Sequence, residues 1–227
     1  VISGNSTYLF ALNCTKNYRN GTQFYVQLVD SYSNPLANRT VSITINGRTY
    51  NRTTDVNGWA TMNINLQPGE YEALCAYYGP QKSDNAFAKA VIKVLPTILA
   101  DNLVKYYLNG SQFHVKVIDG SGNPIVNTNV SMNINGVFYV RQTNSEGIAT
   151  LNIKLWSGKY ILTVHNPYDG LLKSFDVTVL LTIESNDLVK YYHNDSQFYA
   201  KFVDGAGNPL VNTKVKFNIN GVLYTRE

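Results

Sequence analysis

Apolar and polar residues alternate along most of this chain with a period of two. Phe24, Val26 and Leu28 alternate with Tyr25, Gln27 and Val29, and Phe113, Val115 and Val117 repeat that pattern further on. Val41, Ile43 and Ile45 alternate with Ser42, Thr44 and Asn46, as do Val130, Met132 and Ile134 with their neighbours. Ala60, Met62, Ile64 and Leu66 fall on one face, Thr61, Asn63 and Asn65 on the other. Runs of this kind predict strands with one buried face, and no stretch carries a helical stripe. Asn46-Gly47, Asn135-Gly136 and Asn220-Gly221 each separate two such runs, and both residues accept the positive φ of a tight hairpin. Asn34-Pro35, Asn123-Pro124 and Asn208-Pro209 mark a second turn. Strands this short, punctuated this often, predict an all-β sandwich whose core includes Phe24, Val41, Ile43, Ile64, Leu66 and Tyr71, and likewise Phe113, Val130, Ile134, Ile153, Leu155 and Tyr160.

The pattern is tripled. After a leading segment 1–7, the stretches 8–96, 97–181 and 182–227 match one another when slid along the chain. The second and third are identical at 28 of 46 positions, and 8–71 matches 97–160 at 29 of 64. A period near 85–89 residues, read from those ranges, exceeds any solenoid unit, so each complete copy is expected to be a domain with its own core. Gly69 and Gly158 each precede a tyrosine by two residues, the spacing expected of a tyrosine corner in Greek-key sandwiches.

The strings KYYLNGSQF at 105–113 and KYYHNDSQF at 190–198 lead into an Asp-x-x-x-Asn-Pro turn and a V-x-hydrophobic-x-I-N-G run. A later T-(D/N)-x-x-G-x-A-T run follows at 54–66 and 143–155. Together these resemble the Ig-like repeats of adhesin-like surface proteins of methanogenic archaea, similar in style to the invasin/intimin type of bacterial Ig-like domain. The resemblance implies tandem Ig-like Greek-key β-sandwiches in an extracellular protein that projects from a cell surface and mediates attachment. It implies neighbouring Ig-like repeats, of the same or another chain, as partners. It names no ligand.

Composition narrows the function classes. The net charge of +4 is spread thinly, so a nucleic-acid footprint is not expected. No apolar run approaches the ~18 residues of a membrane-crossing helix. The chain opens at Val1 without a signal-type segment, as a processed product or a slice of a longer protein would. Serine elbows, phosphate-binding glycine loops and paired-cysteine zinc motifs are missing, and the three histidines do not recur between copies: His114 matches Tyr25 and Tyr199, His165 matches Ala76, and His193 matches Arg19 and Leu108. No enzyme activity, cofactor or metal is expected.

Recurrence nominates other residues. Asp30, Asp119 and Asp204 precede the Asn-Pro turn by four positions. One carboxylate per loop is thin for Ca²⁺, which takes ~6–8 oxygens, so capping of the turn's own N–H groups is the preferred reading. Lys16, Lys105 and Lys190 also recur. They are candidates for a lysine–asparagine crosslink of the kind some surface adhesins make, but 88–95 and 175–181 offer no Asn. A lysine stem lying over apolar surface with its head in water or on a carboxylate is the simpler reading. Cys14 and Cys75 occupy apolar positions of the first copy, where they serve either as buried thiols or as a disulfide. Asn-x-Ser/Thr sequons at Asn5, Asn13, Asn20, Asn38, Asn51, Asn109, Asn129 and Asn194 are N-glycosylation candidates, and Asn20, Asn109 and Asn194 share one loop-tip position. Tyr25, Tyr77, Tyr78 and Tyr107 are read as outward tyrosines that could stack on a surface glycan or line a protein interface.

The third copy reaches Glu227, the counterpart of Gln142, so 182–227 is read as the N-terminal half of a third Ig-like repeat, and it carries an inward row of Phe198, Phe202, Val215, Phe217 and Ile219. That row is expected to be covered by later residues of a longer protein, or by another chain. The leading expectation is a stalk or fibre of beads joined by spacers that contain no Gly or Ser; the alternative is a carbohydrate- or protein-binding module.

Overall fold

The computed structural model describes residues 6–227. The chain divides into two compact units. One runs to Leu99 and takes in Val117–Ile125 and Asn166–Leu171; the other comprises Ala100–Lys116, Val126–His165 and Leu172–Glu227.

The first unit carries β1 (Thr7–Ala11), β2 (Cys14–Asn17), β3 (Gln23–Asp30), β4 (Thr40–Ile45), β5 (Arg48–Thr53), β6 (Trp59–Asn63), β7 (Gly69–Tyr77), β8 (Ala86–Leu95) and the short β9 (Ile98–Leu99). One sheet has the order β1-β3-β6 and the other β2-β8-β7-β4-β5. The chain crosses from sheet to sheet after β1, β2, β3, β5 and β6, which is the Greek-key path of an Ig-like β-sandwich. The alternation seen in the sequence sets the register: Phe24, Val26, Leu28, Val41, Ile43, Ala60, Ala73 and Ile92 are fully enclosed between the sheets. Each large apolar side chain so enclosed contributes about 1.5–3 kcal/mol.

β10 (Leu103–Tyr106), β11 (Gln112–Val117), β12 (Asn129–Ile134), β13 (Val137–Gln142), β14 (Ile148–Asn152), β15 (Gly158–His165) and β16 (Leu172–Leu180) repeat the plan. Their larger sheet runs β10-β16-β15-β12-β13, strand for strand the order of the first, and β11 pairs with β14. Phe113, Met132, Ile134, Leu151, Leu162, Val164 and Val177 form the core. Residues 182–227 form β17 (Ile183–Ser185), β18 (Ala200–Phe202), β19 (Val215–Ile219) and β20 (Val222–Arg226), paired as β17-β18 and β19-β20.

The turns follow from residue chemistry. Asn46 and Gly47 stand at φ 49° and 72°, and Asn135-Gly136 and Asn220-Gly221 do the same, closing two-residue hairpins between β4–β5, β12–β13 and β19–β20. The hydroxyls of Tyr71 and Tyr160 donate to the carbonyls of Gln67 and Trp156, each at 2.9 Å. That is the tyrosine corner, and it explains one departure from expectation. Tyr71 and Tyr160 are half-buried, with their hydroxyls at the rim; Leu66 and Leu155, expected in the core, are half-buried too, because β6 and β14 end at Asn63 and Asn152.

The opening strand is split. It breaks at Leu12–Asn13, so β1 joins β3 while β2 crosses to the other sheet and runs parallel to β8. Asn13 Oδ1 accepts the Val91 N–H at 2.8 Å beside the break. Asn102 Oδ1 accepts the Asp176 N–H at 2.9 Å in the corresponding place. A side-chain carbonyl there replaces the main-chain acceptor that the crossover removes.

Candidate functional site

The recurrent side chains form a polar frame at the edges of the cores. Lys16 and Lys105 are almost fully enclosed. Lys16 Nζ donates to the carbonyls of Thr22 (3.1 Å) and Ile64 (2.9 Å), and Lys105 Nζ to those of Ser111 and Ile153, both at 2.9 Å. The heads therefore sit on main-chain carbonyls, not in water or on a carboxylate as the simpler sequence reading had it. Each lysine ties the loop before β3 or β11 to the chain just past β6 or β14. Burial pushes both ammonium groups below the usual lysine range. Lys190 is exposed and makes one such bond, to the Ser196 carbonyl at 3.2 Å.

The three aspartates cap their own turns. Asp30 Oδ1 accepts the N–H groups of Tyr32 (2.8 Å) and Asn34 (2.9 Å), and its Oδ2 accepts Asn34 Nδ2 at 3.0 Å. Asp119 and Asp204 reproduce all three contacts within 0.2 Å. The Asn34 side chain holds the Asp30 carboxyl below its usual range, and the N–H groups of Asn123 and Asn208 do so for Asp119 and Asp204. Among the described residues no cluster of three or more His, Cys, Asp or Glu side chains could hold a metal.

Cys14 and Cys75 are buried free thiols. The ladders explain why they do not pair. Cys14 lies level with Ile92 of β8, which faces Tyr71, whereas Cys75 faces Ala88, four residues along. Two strand spacings and four residues put their Cα atoms ~16 Å apart, beyond the ~7 Å a disulfide allows. Of the two readings left open by the sequence, the buried thiols are the one this geometry fits. Burial pushes the Cys75 thiol up to about 11 and raises Cys14 as well.

Asn5 lies outside the described residues. Asn13, Asn38, Asn51, Asn129 and Asn194 are exposed, whereas Asn20 and Asn109 are half-buried. Asn20 Oδ1 accepts the Thr22 N–H at 2.7 Å, and Asn109 and Asn194 hold the N–H groups of Ser111 and Ser196 in the same way. Asn20 Nδ2 donates to the Gly120 carbonyl at 2.8 Å, and Asn109 Nδ2 donates to that of Gly205.

Among the tyrosines read as outward, Tyr78 and Tyr25 are exposed, Tyr107 is half-buried and stacks on Trp156, and Tyr77 is buried. The last is a correction: β7 carries Ala73, Cys75 and Tyr77 on its inner face. His114 is exposed with Nδ1 3.0 Å from Thr150 Oγ1, and His193 is exposed as well. Sequence reasoning missed two sets. Thr54 and Thr143 are buried; the Thr54 hydroxyl accepts from Arg39 N and donates to the Leu36 carbonyl, and the Thr143 hydroxyl accepts from Thr128 N and donates to the Thr128 carbonyl. Thr97, Asp169 and Asn166 form a polar knot, with Asn166 Nδ2 donating to Thr97 Oγ1 and the Ile118 carbonyl. Recurrence signalled the first set; the second has no counterpart at Tyr8 and Tyr77, so nothing in the chain announced it.

Strand order, sheet pairing and the paired tyrosine corners define an Ig-like β-sandwich protein with a recurring plan. No protein-family model and no curated protein matches the chain. Among solved structures it is similar to a chimeric titin Z1Z2 at 15% identity and a TM-score of 0.35, over 79% of this chain and 98% of that one. It is similar to invasin, a bacterial integrin-binding protein, at 16% identity and 0.34, over 97% of this chain and 53% of that one. A Ca²⁺-stabilised ice-binding adhesin of an Antarctic bacterium gives 13% identity and 0.28, over 99% and 63%. The chain thus spans between half and two thirds of those two bacterial proteins.

Proposed function

We propose that this chain is a structural and adhesive segment of an extracellular cell-surface protein, a stalk of tandem Ig-like repeats over 8–96, 97–181 and 182–227. One observation carries the reading: the side chains that recur are those that hold loops and turns, while those able to do chemistry, the histidines and cysteines, do not recur. The junctions support it. Val94 to Ile98 and Val179 to Ile183 pass from one copy to the next without a Gly or Ser spacer, so limited swinging between copies is expected. The reading involves no catalytic step, and no helix of the described residues is long and apolar enough to cross a bilayer.

Small-angle scattering tests it. A stiff, elongated profile is expected, and a flexible-chain profile would overturn the stalk. The exposed Tyr78–Phe87 and the stacked Tyr107–Trp156 pairs favour a second reading, a carbohydrate-binding module. A glycan array separates the two: a stalk segment binds nothing on it.

A further inference from the structure

Three turns share one conformation but not one sequence. The first reads Asp30-Ser31-Tyr32-Ser33-Asn34, the second Asp119-Gly120-Ser121-Gly122-Asn123 and the third Asp204-Gly205-Ala206-Gly207-Asn208. In each, the fourth residue donates its N–H to the aspartate carbonyl at 3.0 Å. Its φ is positive in all three: 66° at Ser33, 90° at Gly122 and 86° at Gly207. The serine turn therefore folds without glycine, and one glycine in each of the other two, Gly120 and Gly207, answers to something outside the turn.

That something is an asparagine loop. Within the first compact unit, the Gly120 carbonyl accepts from Asn20 Nδ2 (2.8 Å) and Asn17 Nδ2 (3.3 Å). A Cβ at Gly120 would stand 3.1 Å from Asn20 N and 3.2 Å from its Cα. Within the second unit the Gly205 carbonyl accepts from Asn109 Nδ2, and a Cβ at Gly207 would fall 2.6 Å from Cε2 of Tyr106, inside contact distance. The receiving loop is prebuilt. Arg19, Leu108 and His193 share φ 57–60°, and Asn20, Asn109 and Asn194 each donate a backbone N–H three residues back, to Asn17, Tyr106 and Tyr191. With Oδ1 held by the residue two positions on, Nδ2 is left to face outward. At Asn194 it has no protein partner among the described residues.

We propose that the Asn-x-Ser/Thr loop is a receptor for the Gly-x-Gly turn of a following repeat, and that Asn194 is such a receptor awaiting a further Asp-Gly-x-Gly-Asn-Pro turn. The Ser31-Tyr32-Ser33 turn lacks both glycines, so it is not a ligand for this loop. The loop and turn thus give the array a direction and a rule for which repeat follows which. This assignment rests on the tandem-repeat reading. The sequon chemistry at these three positions then serves the loop: the serine or threonine donates to Asn Oδ1 so that Nδ2 points at a carbonyl.

Nuclear magnetic resonance of the full chain tests it, because Asn109 and Asn194 are built-in references for the docked and undocked carboxamide. Gly120→Ser, Ser121→Tyr and Gly122→Ser together copy the first turn into the second. The Asn20 carboxamide is expected to exchange about tenfold faster and to move toward the Asn194 resonance, the scale of one lost hydrogen bond. An Asn20 signal that stays with Asn109 overturns the proposal. If the triple variant loses amide protection at Val115 and Leu151, Gly120→Ser alone gives the same readout. In trans, a chain carrying Ser31→Gly, Tyr32→Ser and Ser33→Gly, added at millimolar concentration, should shift Asn194 where the native chain does not. Equal shifts, or none with either chain, overturn the receptor assignment. A glycan found on Asn20 or Asn109 of natively expressed protein also overturns it. Scattering that reports a flexible chain would defeat the stalk while leaving this result standing, so the two failures are distinguishable.

Discussion

Residues 97–142 and 182–227 are nearly the same text with different physical outcomes. Phe113 is 1% exposed and its counterpart Phe198 is 41% exposed; Ile134 is 2% exposed and Ile219 60%. The Asn-Gly hairpins, the aspartate-capped turns and the positive-φ residue before the sequon asparagine are the same in both. The first stretch lies against β14, β15 and β16, and the second holds no counterpart of those strands in the sequence given. Turns and hairpins are thus encoded within a few residues, whereas burial of the core and of the recurrent lysine depends on strands 20–60 positions away, a span read from the two ranges.

The sharpest way to break that comparison is to truncate matched core positions. Ile134→Ala should cost about 2–5 kcal/mol in urea unfolding, and Ile219→Ala less than ~0.5 kcal/mol. Equal costs would mean that the third copy is packed as tightly as the second. Lys105→Met comes next. It leaves the Ser111 and Ile153 carbonyls without a donor, worth about 1–3 kcal/mol, while Lys190→Met should change little. Smaller still is Tyr160→Phe, which removes the bond to Trp156 and should lower stability by ~0.5–1.5 kcal/mol. The smallest effect is a pH dependence. Lys16 and Lys105 titrate below the unfolded lysine value near ~10.4, so between the two the unfolded chain holds more protons. Stability from these groups is expected to rise as pH climbs through that window, and Lys105→Met should flatten the rise measured by urea midpoint.

Much of this was legible in the sequence, and the misses share a cause. Alternation located the strands, and the Asn-Gly and Asn-Pro pairs located the turns, because period and φ preference are local properties. The aspartates were read correctly for the same reason, since all their partners lie within four residues. Lys105 was not, because its second acceptor, Ile153, is 48 residues away and is a backbone atom that no side-chain pattern reveals. Tyr77 was placed outward because alternation through Ala73, Cys75 and Tyr77 is written in small residues with little contrast against Leu74 and Ala76. The cysteines were considered as partners on the strength of their apolar positions alone; the parallel ladder of β2 on β8, which separates them, has no sequence signature.

That ladder has a mechanical consequence. Cys14 to Asn17 pair with Ile92 to Leu95, and Leu103 to Tyr106 pair with Val177 to Leu180, in both cases parallel. Tyr18 N–H on the Leu95 carbonyl (2.8 Å) and Tyr107 N–H on the Leu180 carbonyl (3.0 Å) extend the two ladders. A pull on the chain before β2 and after β8 draws parallel strands in opposite senses along their own axes. All the bonds of the ladder are then loaded together in shear, and none can be peeled open singly as at the tip of a hairpin. Stretched by its ends, each sandwich should yield in one step at high force, and single-molecule pulling would record that step.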